Sequence, residues 1–245
     1  MISALDHLTL RASFVSGAVG AYETLLGRKA DNGALRVGNV GLTIEDCADT
    51  ARLASMNFAT PDVDKAAHLL ERRAVKTTRD GERLVLASEA AHGVAIGLVQ
   101  PGEAASPSPF LKSSEAAAIG ALDHVVVRSP NPERAIAFYS GRLGLDLRLD
   151  RSNPDWGARL LFFRCGDLVV EIAHDLKKGV SDAPDELWGL SWRANDIAAC
   201  NERLKKAGVE VSAPRPGRRP GSHVFTVQSH TANVPTIVIG GIGRW

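Results

Sequence analysis

The amino-acid sequence predicts an α+β fold of four βαβββ modules, paired into two curved mixed sheets with helices on their outer sides. Two observations predict it. The segment ALDHLTLR at residues 4–11 returns as ALDHVVVR at residues 121–128, an offset of 117. A second type of unit follows each of these segments, so the modules run in the order A, B, A′, B′. A repeat of this length, matched without a gap, indicates a duplicated structural unit.

The first type of unit predicts a strand, a helix and a glycine stop. At the offset of 117, Leu26-Gly27 matches Leu143-Gly144. In the second copy the strand LDHVVV precedes Pro130-Asn131-Pro132, which suits a helix start, and Gly144 suits the helix end. Short strands follow the helix, namely LDLRLD, ARLLFF and DLVVEIAH in the second copy and the shorter ALRV and NVGLTIED in the first. Each unit is therefore predicted as β-α-β-β-β.

The second type of unit predicts a strand, a capped helix and further strands. MNFATPDVDKAAHLLERRAVKTT resembles GLSWRANDIAACNERLKKAGVEVS, with Asp62 and Asp196 at the two helix starts. Asp80-Gly81 is a hairpin signal. The remaining strands are RLVLAS, GVAIGLV, HVFTVQ and PTIVIG. Two modules together predict an eight-stranded curved sheet, and its concave face is a natural place for a small ligand.

The length of 245 residues allows two domains. We expect an N-terminal pair of modules at residues 1–100, a linker at 101–120 that is rich in Pro, Ser and Ala, and a C-terminal pair at 121–245.

Charge and composition exclude several classes of partner. The net charge of +1 gives no global attraction to nucleic acid or to an anionic membrane, so neither is expected. No apolar run is long enough to predict a transmembrane helix. The 3 cysteines show no CxxC spacing, which argues against a disulfide framework or a structural zinc knuckle and favours a cytoplasmic protein. The expected partner is a small molecule, and the sequence leaves a homodimer open.

The motifs LDHVVV, FYSGRLGL and LVVEI, set in paired βαβββ modules, resemble the vicinal oxygen chelate superfamily. That superfamily includes glyoxalase I, bleomycin-resistance proteins, methylmalonyl-CoA epimerase and extradiol dioxygenases. The resemblance covers nearly the whole chain and is specific for the fold. It is weak for the reaction, because one scaffold carries several chemistries and also binding without chemistry.

The resemblance implies four metal-ligand positions per domain, on the first and last strands of two paired modules. In the C-terminal pair these positions match His124 and Glu171, and strand alternation would put Leu122, His124 and Val126 on one face. The third position falls near Gly189, and the last strand, PTIVIGG, contains no Asp, Glu or His. Two of the four positions are therefore retained. Zinc, manganese, nickel or ferrous iron would suit such ligands, but a catalytic metal normally has three or more.

The N-terminal pair is poorer in ligands, and we expect it to be structural. His7 occupies the first position, but when the two copies of the repeat are aligned, Thr43 rather than a carboxylate matches Glu171. The second module offers residues near Ser55 and Gly97.

Further residues are candidates for the C-terminal site. His223 is a candidate third metal ligand, with an exposed loop end as the alternative. Trp156 and Trp188 would suit an apolar or aromatic ligand. Arg218 and Arg219 lie in the Pro/Gly-rich segment RPGRRPGSH. This segment either closes over the concave face of the sheet and clamps a carboxylate or phosphate, or is a solvated hairpin loop.

Two functions remain open at this point. One is a metal-dependent lyase, isomerase or dioxygenase-like enzyme, in which Glu171 is catalytic and His124, Glu171 and His223 hold a divalent metal. The other is metal-free binding or sequestration of a small molecule, of the bleomycin-resistance type. A direct hydrogen bond between His124 and Glu171 would favour the second.

Overall fold

The computed structural model describes residues 1–101 and 117–241, which form two mixed sheets with helices packed against them. The predicted linker, residues 101–120, lies largely outside the described residues. The N-terminal sheet has the order β2-β3-β1-β4-β7-β6-β5. Its strands are β1 (Ala4–Ala12), β2 (Ala34–Val37), β3 (Val40–Asp46), β4 (Arg52–Ala59), β5 (Thr77–Asp80), β6 (Arg83–Leu86) and β7 (Ala95–Val99).

The C-terminal sheet has eight strands in the order β13-β14-β15-β12-β8-β11-β10-β9. They are β8 (Ile119–Arg128), β9 (Asp146–Asn153), β10 (Ala158–Cys165), β11 (Leu168–Asp175), β12 (Glu186–Ala194), β13 (Arg215–Pro216), β14 (His223–Val227) and β15 (Thr236–Gly240).

The predicted fold class is confirmed, and the first and last strands of paired modules meet at the centre of each sheet. In the C-terminal sheet β8 runs antiparallel to β12, while β11 lies parallel to β8 and β15 parallel to β12. The N-terminal sheet repeats the arrangement with β3, β1, β4 and β7. Side chains from four strands can therefore converge at the middle of each sheet.

The N-terminal sheet has one strand fewer than predicted. After its helix, the first module forms only β2 and β3, whereas the third module forms β9, β10 and β11. The stretch between the helix and β2 makes only the isolated bridge between Asp31 and Ala34. Six residues, 28–33, are too few for another strand and its turn.

Among residues 1–101 and 117–241, four helices lie in the segments where the sequence predicts helices. They are α1 (Val15–Leu26), α2 (Val63–Arg72), α3 (Pro132–Ile136), which continues as a π-helical turn (Ala137–Arg142), and α4 (Ile197–Lys206). Asp62 and Asp196 cap α2 and α4 by accepting hydrogen bonds from backbone N–H groups, and Asn131 does the same for α3. Gly27 adopts the left-handed conformation that ends α1. No helix among the described residues is long and apolar enough to cross a membrane.

The two halves share one continuous hydrophobic cluster and several hydrogen bonds. The Tyr22 hydroxyl donates to the Thr231 carbonyl over 3.1 Å, and the Arg203 guanidinium donates to the carbonyls of Thr24 and Leu25. The turn between β2 and β3 touches β8, where Gly38 with φ +48° lies against the Gly120 backbone. The N-terminal half therefore contacts the strand that carries His124.

This contact predicts opposite effects for two glycine substitutions. Gly38→Ala would direct a Cβ into the Gly120 carbonyl from a left-handed backbone conformation, so we expect a loss of more than about 2 kcal/mol in the free energy of unfolding. Gly20→Ala, inside α1 with open space around it, should stabilise by about 0.5–1 kcal/mol. Urea denaturation measures both, and an unchanged stability in Gly38→Ala would contradict the contact.

Candidate functional site

A β-bulge in β8 determines which residues reach the inner face of the C-terminal sheet. His124 lies opposite Ser191 and Leu122 lies opposite Trp192, so Asp123 is an extra residue without a partner position on β12. Leu122 consequently joins Val125 in the hydrophobic cluster on the helix side. The expectation that Leu122 shares a face with His124 is wrong, because simple alternation fails across a bulge.

The N-terminal half holds this bulge in place. The side chain of Asn39, in the turn between β2 and β3, accepts a hydrogen bond from the Leu122 N–H and donates to the Leu122 carbonyl, both over 2.9 Å. Its Nδ2 also donates to the Asp167 carboxylate. A bulge disrupts the regular ladder, and the Asn39 amide supplies both a donor and an acceptor to this backbone.

The structure brings His124 and Glu171 together, in contact with two further charged groups. His124 Nδ1 lies 2.9 Å from Asp123 Oδ2, and His124 Nε2 lies 3.3 Å from Glu171 Oε2. Arg193 Nε donates to Asp123 Oδ1 over 3.1 Å. The side chains of His124 and Glu171 are 13% and 12% exposed, and Asp123 is fully buried. These four residues form what we call the charged centre.

The neighbours of His124 favour its charged form. Burial alone would lower the pKa of His124, but the Glu171 and Asp123 carboxylates together outweigh it and raise that pKa above its ordinary value. Burial likewise opposes ionisation of Asp123, yet His124 and Arg193 hold the pKa of Asp123 below its ordinary value. The charged centre thus balances two carboxylates against two cations.

The donors at this centre do not fit a catalytic divalent metal. His223 is exposed on β14 and lies on the same face as Phe225 and Val227, which belong to the helix-side cluster, so it does not join His124 and Glu171. Ser191 lies opposite His124, Gly189 lies opposite Val126, and β15 contains no Asp, Glu or His. Among residues 1–101 and 117–241 no three His, Cys, Asp or Glu are arranged to hold an ion. Two donors fall short of the three that such a metal normally requires.

Apolar side chains surround the charged centre on the same face of the sheet. Residues paired across neighbouring strands share a face. Glu171 pairs with Val126 on one side and with Phe162 on the other, and His124 pairs with Val169. We call this face of the C-terminal sheet the C-terminal cup. A mostly apolar surface with a few polar groups is typical of a small-molecule site.

The sheet curves strongly enough to bring its opposite edges together. Trp156 lies between β9 and β10, and Arg218 lies in the loop between β13 and β14, near the other edge. In a flat sheet with strands about 4.8 Å apart, six steps would separate β9 from β14 by roughly 29 Å. The Arg218 guanidinium carbon is nevertheless 4.6 Å from the centre of the Trp156 ring. The two edges therefore meet across the cup.

The remaining predicted ligand contacts are Trp188 and Arg219, and two further arginines lie over the tryptophan rings. Arg151 lies over the same Trp156 ring at 4.8 Å, and Arg128 lies over Trp188 at 3.9 Å. Arg219 is exposed, and its carbonyl accepts hydrogen bonds from Ser222.

Three residues of the site escaped the sequence analysis: Asp123 as a partner of His124, and Ser191 and Arg193 on β12. The repeated Asp-His pair was a signal for the first, because Asp6 and His7 form the same contact at 2.7 Å. Nothing in the segment GLSWRA indicated that Ser191 and Arg193 belong to the site. Ser191 is fully buried, and its Oγ has no hydrogen-bond partner within the described part of the chain.

The N-terminal sheet lacks the carboxylate of this centre. Thr43 pairs with Thr9 as Glu171 pairs with Val126, which places threonine at the position that the alignment assigned to it. Asn57 lies opposite His7, and Gly97 lies beside Asn57. A structural role for this half stays a prediction.

The raised pKa of His124 predicts a pH-dependent contribution to stability. A pKa that is higher in the folded than in the unfolded protein stabilises the fold fully below the unfolded value, about 6.5, and this stabilisation is lost as pH rises through the folded value. The difference in unfolding free energy between wild type and His124→Gln should therefore shrink as pH rises from about 6 to 9. His68→Gln, on the exposed side of α2, is the control. A difference that grows with pH would contradict the charge assignment.

Comparisons with known proteins agree with this architecture. Residues 123–226 match the family model of the Glyoxalase/Bleomycin resistance protein/Dioxygenase superfamily. The ethylmalonyl-CoA/methylmalonyl-CoA epimerase of Cereibacter sphaeroides is 30% identical over 100 residues, which cover 38% of this chain and 75% of that protein. The mitochondrial methylmalonyl-CoA epimerase of Mus musculus is 34% identical over 77 residues, 31% of this chain and 42% of that protein.

Two solved structures share the fold over the whole chain. The halotolerant catechol dioxygenase BphC aligns with a TM-score of 0.70 and 13% identity, covering 100% of this chain and 89% of that one. The Mn(II)-bound glyoxalase from Novosphingobium aromaticivorans aligns with a TM-score of 0.72 and 14% identity, covering 99% and 83%. The two solved structures show the fold. The epimerase relative and the family-model match show that the chain belongs to the glyoxalase/bleomycin resistance protein/dioxygenase superfamily, whose members share the vicinal oxygen chelate fold.

Proposed function

We propose that the protein binds a small oxygenated organic molecule in the C-terminal cup through His124 and Glu171 directly, without a metal ion between them. The contact of His124 Nε2 with Glu171 Oε2 at 3.3 Å carries this proposal. Both imidazole nitrogens lie beside carboxylates, and Arg193 supplies a second positive charge, so the buried centre is electrically balanced by protein groups alone. Its carboxylates need no metal charge to offset the cost of burial.

The cup offers polar groups that suit an oxygen-bearing ligand. Glu171 can accept a hydrogen bond from a hydroxyl group, and protonated His124 can donate to a carbonyl or hydroxyl oxygen. The apolar face around Val126, Phe162 and Val169 would hold the carbon body of the ligand.

This proposal predicts that ligand binding requires His124 and Glu171. We expect at least one compound among catechol, methylglyoxal and propionyl-CoA to raise the melting temperature of the wild-type protein. Removing a charged partner that contacts the ligand should weaken binding. The dissociation constant of that compound should therefore rise at least about tenfold in His124→Ala and Glu171→Gln.

His7→Ala is the matched control, because His7 occupies the same position in the N-terminal sheet and pairs with Asp6 as His124 pairs with Asp123. Calorimetry on the four proteins decides the matter. A compound that binds His124→Ala as tightly as wild type would contradict the proposed site.

A second candidate function is proton transfer at carbon, and the 30% identity to an epimerase favours it. Glu171 would take the proton from a carbon next to a carbonyl group, and His124 would donate a hydrogen bond to the developing enolate oxygen. Return of a proton to the same face of the enolate restores the compound, and return to the opposite face gives its epimer, so no bond other than C–H breaks or forms.

Exchange of that proton with solvent tests the second candidate. Methylmalonyl-CoA incubated in D₂O with the protein should lose its C2 proton faster than without it, as measured by NMR. Because general-base catalysis contributes about 10²–10⁴ in rate, Glu171→Gln should lower the exchange rate at least a hundredfold. Exchange at the background rate with the wild-type protein would exclude this reaction and leave binding as the function.

A further inference from the structure

We propose that the ligand of the C-terminal cup is an anion, specifically a small planar aromatic carboxylate, held at the mouth of the cup by Arg151 and Arg218. This inference rests on the proposed function and names the class of its ligand. We call the group Arg151, Trp156 and Arg218 the clasp.

The clasp puts two positive charges on one aromatic ring. The Arg151 and Arg218 guanidinium carbons lie 4.8 Å and 4.6 Å from the centre of the Trp156 ring. The two cations come from opposite edges of the sheet, β9 and the loop between β13 and β14, and meet only because the sheet is curved. Each stacking contact is worth about 0.5–1 kcal/mol at an exposed site, while two like charges so close repel each other.

Three arginines near the mouth, Arg128, Arg151 and Arg218, have no carboxylate partner in the part of the chain that the structure describes. Within residues 1–101 and 117–241, neither Arg151 nor Arg218 forms an ion pair or a side-chain hydrogen bond, and the same holds for Arg128 over Trp188. Other arginines of the same edge are neutralised, since Arg148 pairs with Asp146 and Arg159 with Asp150 and Glu133. The mouth therefore carries an excess of positive charge that an anion would offset.

The free donors of the clasp have the shape that a carboxylate requires. A guanidinium that stacks on a ring uses its face, and its N–H groups remain free in its plane. These N–H groups match the two oxygens of a carboxylate in a bidentate contact. Arg151 and Arg218 are both exposed, so their donors are accessible to a ligand from solvent.

The surface between the clasp and the charged centre favours a planar apolar body. Arg151 pairs with Leu160, and the next pair on the same face is Leu149 with Phe162, which in turn pairs with Glu171. A flat ring can lie on these side chains with its carboxylate towards the clasp and an oxygen substituent towards His124 and Glu171. The backbones of β9 and β8 lie three strand steps of about 4.8 Å apart. Side chains that extend from both strands shorten this distance to about the size of one substituted ring.

The test compares an aromatic acid with its neutral amide. We expect 4-hydroxybenzoate to bind the wild-type protein at least tenfold more tightly than 4-hydroxybenzamide, as measured by calorimetry and by quenching of tryptophan fluorescence. Arg151→Gln and Arg218→Gln should each remove most of this preference, by lowering the affinity for the acid far more than the affinity for the amide. Arg148→Gln is the matched control, because Arg148 lies on the same strand, β9, but is paired with Asp146.

The outcomes separate this inference from the proposed function. Equal affinity for acid and amide, or an acid preference that survives both arginine variants, overturns the inference even where His124→Ala still abolishes binding. Tighter binding of 4-hydroxyphenyl phosphate than of 4-hydroxybenzoate overturns the carboxylate class in favour of a phosphate. Failure of 4-hydroxybenzoate to bind, when another oxygenated compound binds through His124, also overturns the inference. If the affinity for every ligand that binds is the same in His124→Ala as in the wild-type protein, the proposed function is overturned instead.

Discussion

The β-bulge at Asp123 is the constraint on which the arrangement of the site depends. It turns Leu122 towards the helices and His124 towards the cup, and it places the Asp123 carboxylate between His124 and Arg193. A regular strand would have directed Leu122 and His124 to the same face. Because the bulge breaks the ladder at Leu122, its backbone is held instead by Asn39 of the other half. The second half thus depends on the first for the position of its histidine.

Duplication explains why the same local geometry appears twice with different chemistry. The N-terminal sheet has its own bulge at Asp6, with Leu5 opposite Phe58 and His7 opposite Asn57. Asp6 contacts His7 as Asp123 contacts His124. The neighbouring strands differ, since Thr43 stands in place of Glu171, and Asn57 and Ala59 stand in place of Ser191 and Arg193. The charged groups around the histidine, rather than the fold, are what distinguish the two cups.

The repeated sequence could predict most of the architecture because local signals there agree with the tertiary structure. Asp62 and Asp196 cap their helices as expected, α3 begins after the Pro130-Asn131-Pro132 break, and His124 meets Glu171 because first and last strands are neighbours at the centre of the sheet. The bulge could not be predicted, since it leaves the apolar pattern of LDHVVV unchanged. The exclusion of His223 follows from the register of β14, which a lone strand sequence does not reveal.

Contacts that depend on the curvature of the sheet also lay beyond the sequence. Trp156 and Arg218 are 62 positions apart and lie near opposite edges, and their contact arises only when the sheet closes on itself. Both were candidate ligand contacts from composition alone, Trp156 as an aromatic wall and Arg218 as part of a basic loop. Their stacking on each other is a tertiary consequence of eight strands with accumulated twist.

The central claim is that His124 and Glu171 act as a direct polar pair rather than as ligands of a metal. Mass spectrometry of the metal content, on untagged protein incubated with Mn, Fe, Ni or Zn and then desalted, tests it most directly. A direct pair predicts far less than one ion per chain, with no difference between wild type and His124→Ala or Glu171→Ala. Close to one ion per chain in the wild-type protein, lost in both variants, would contradict it.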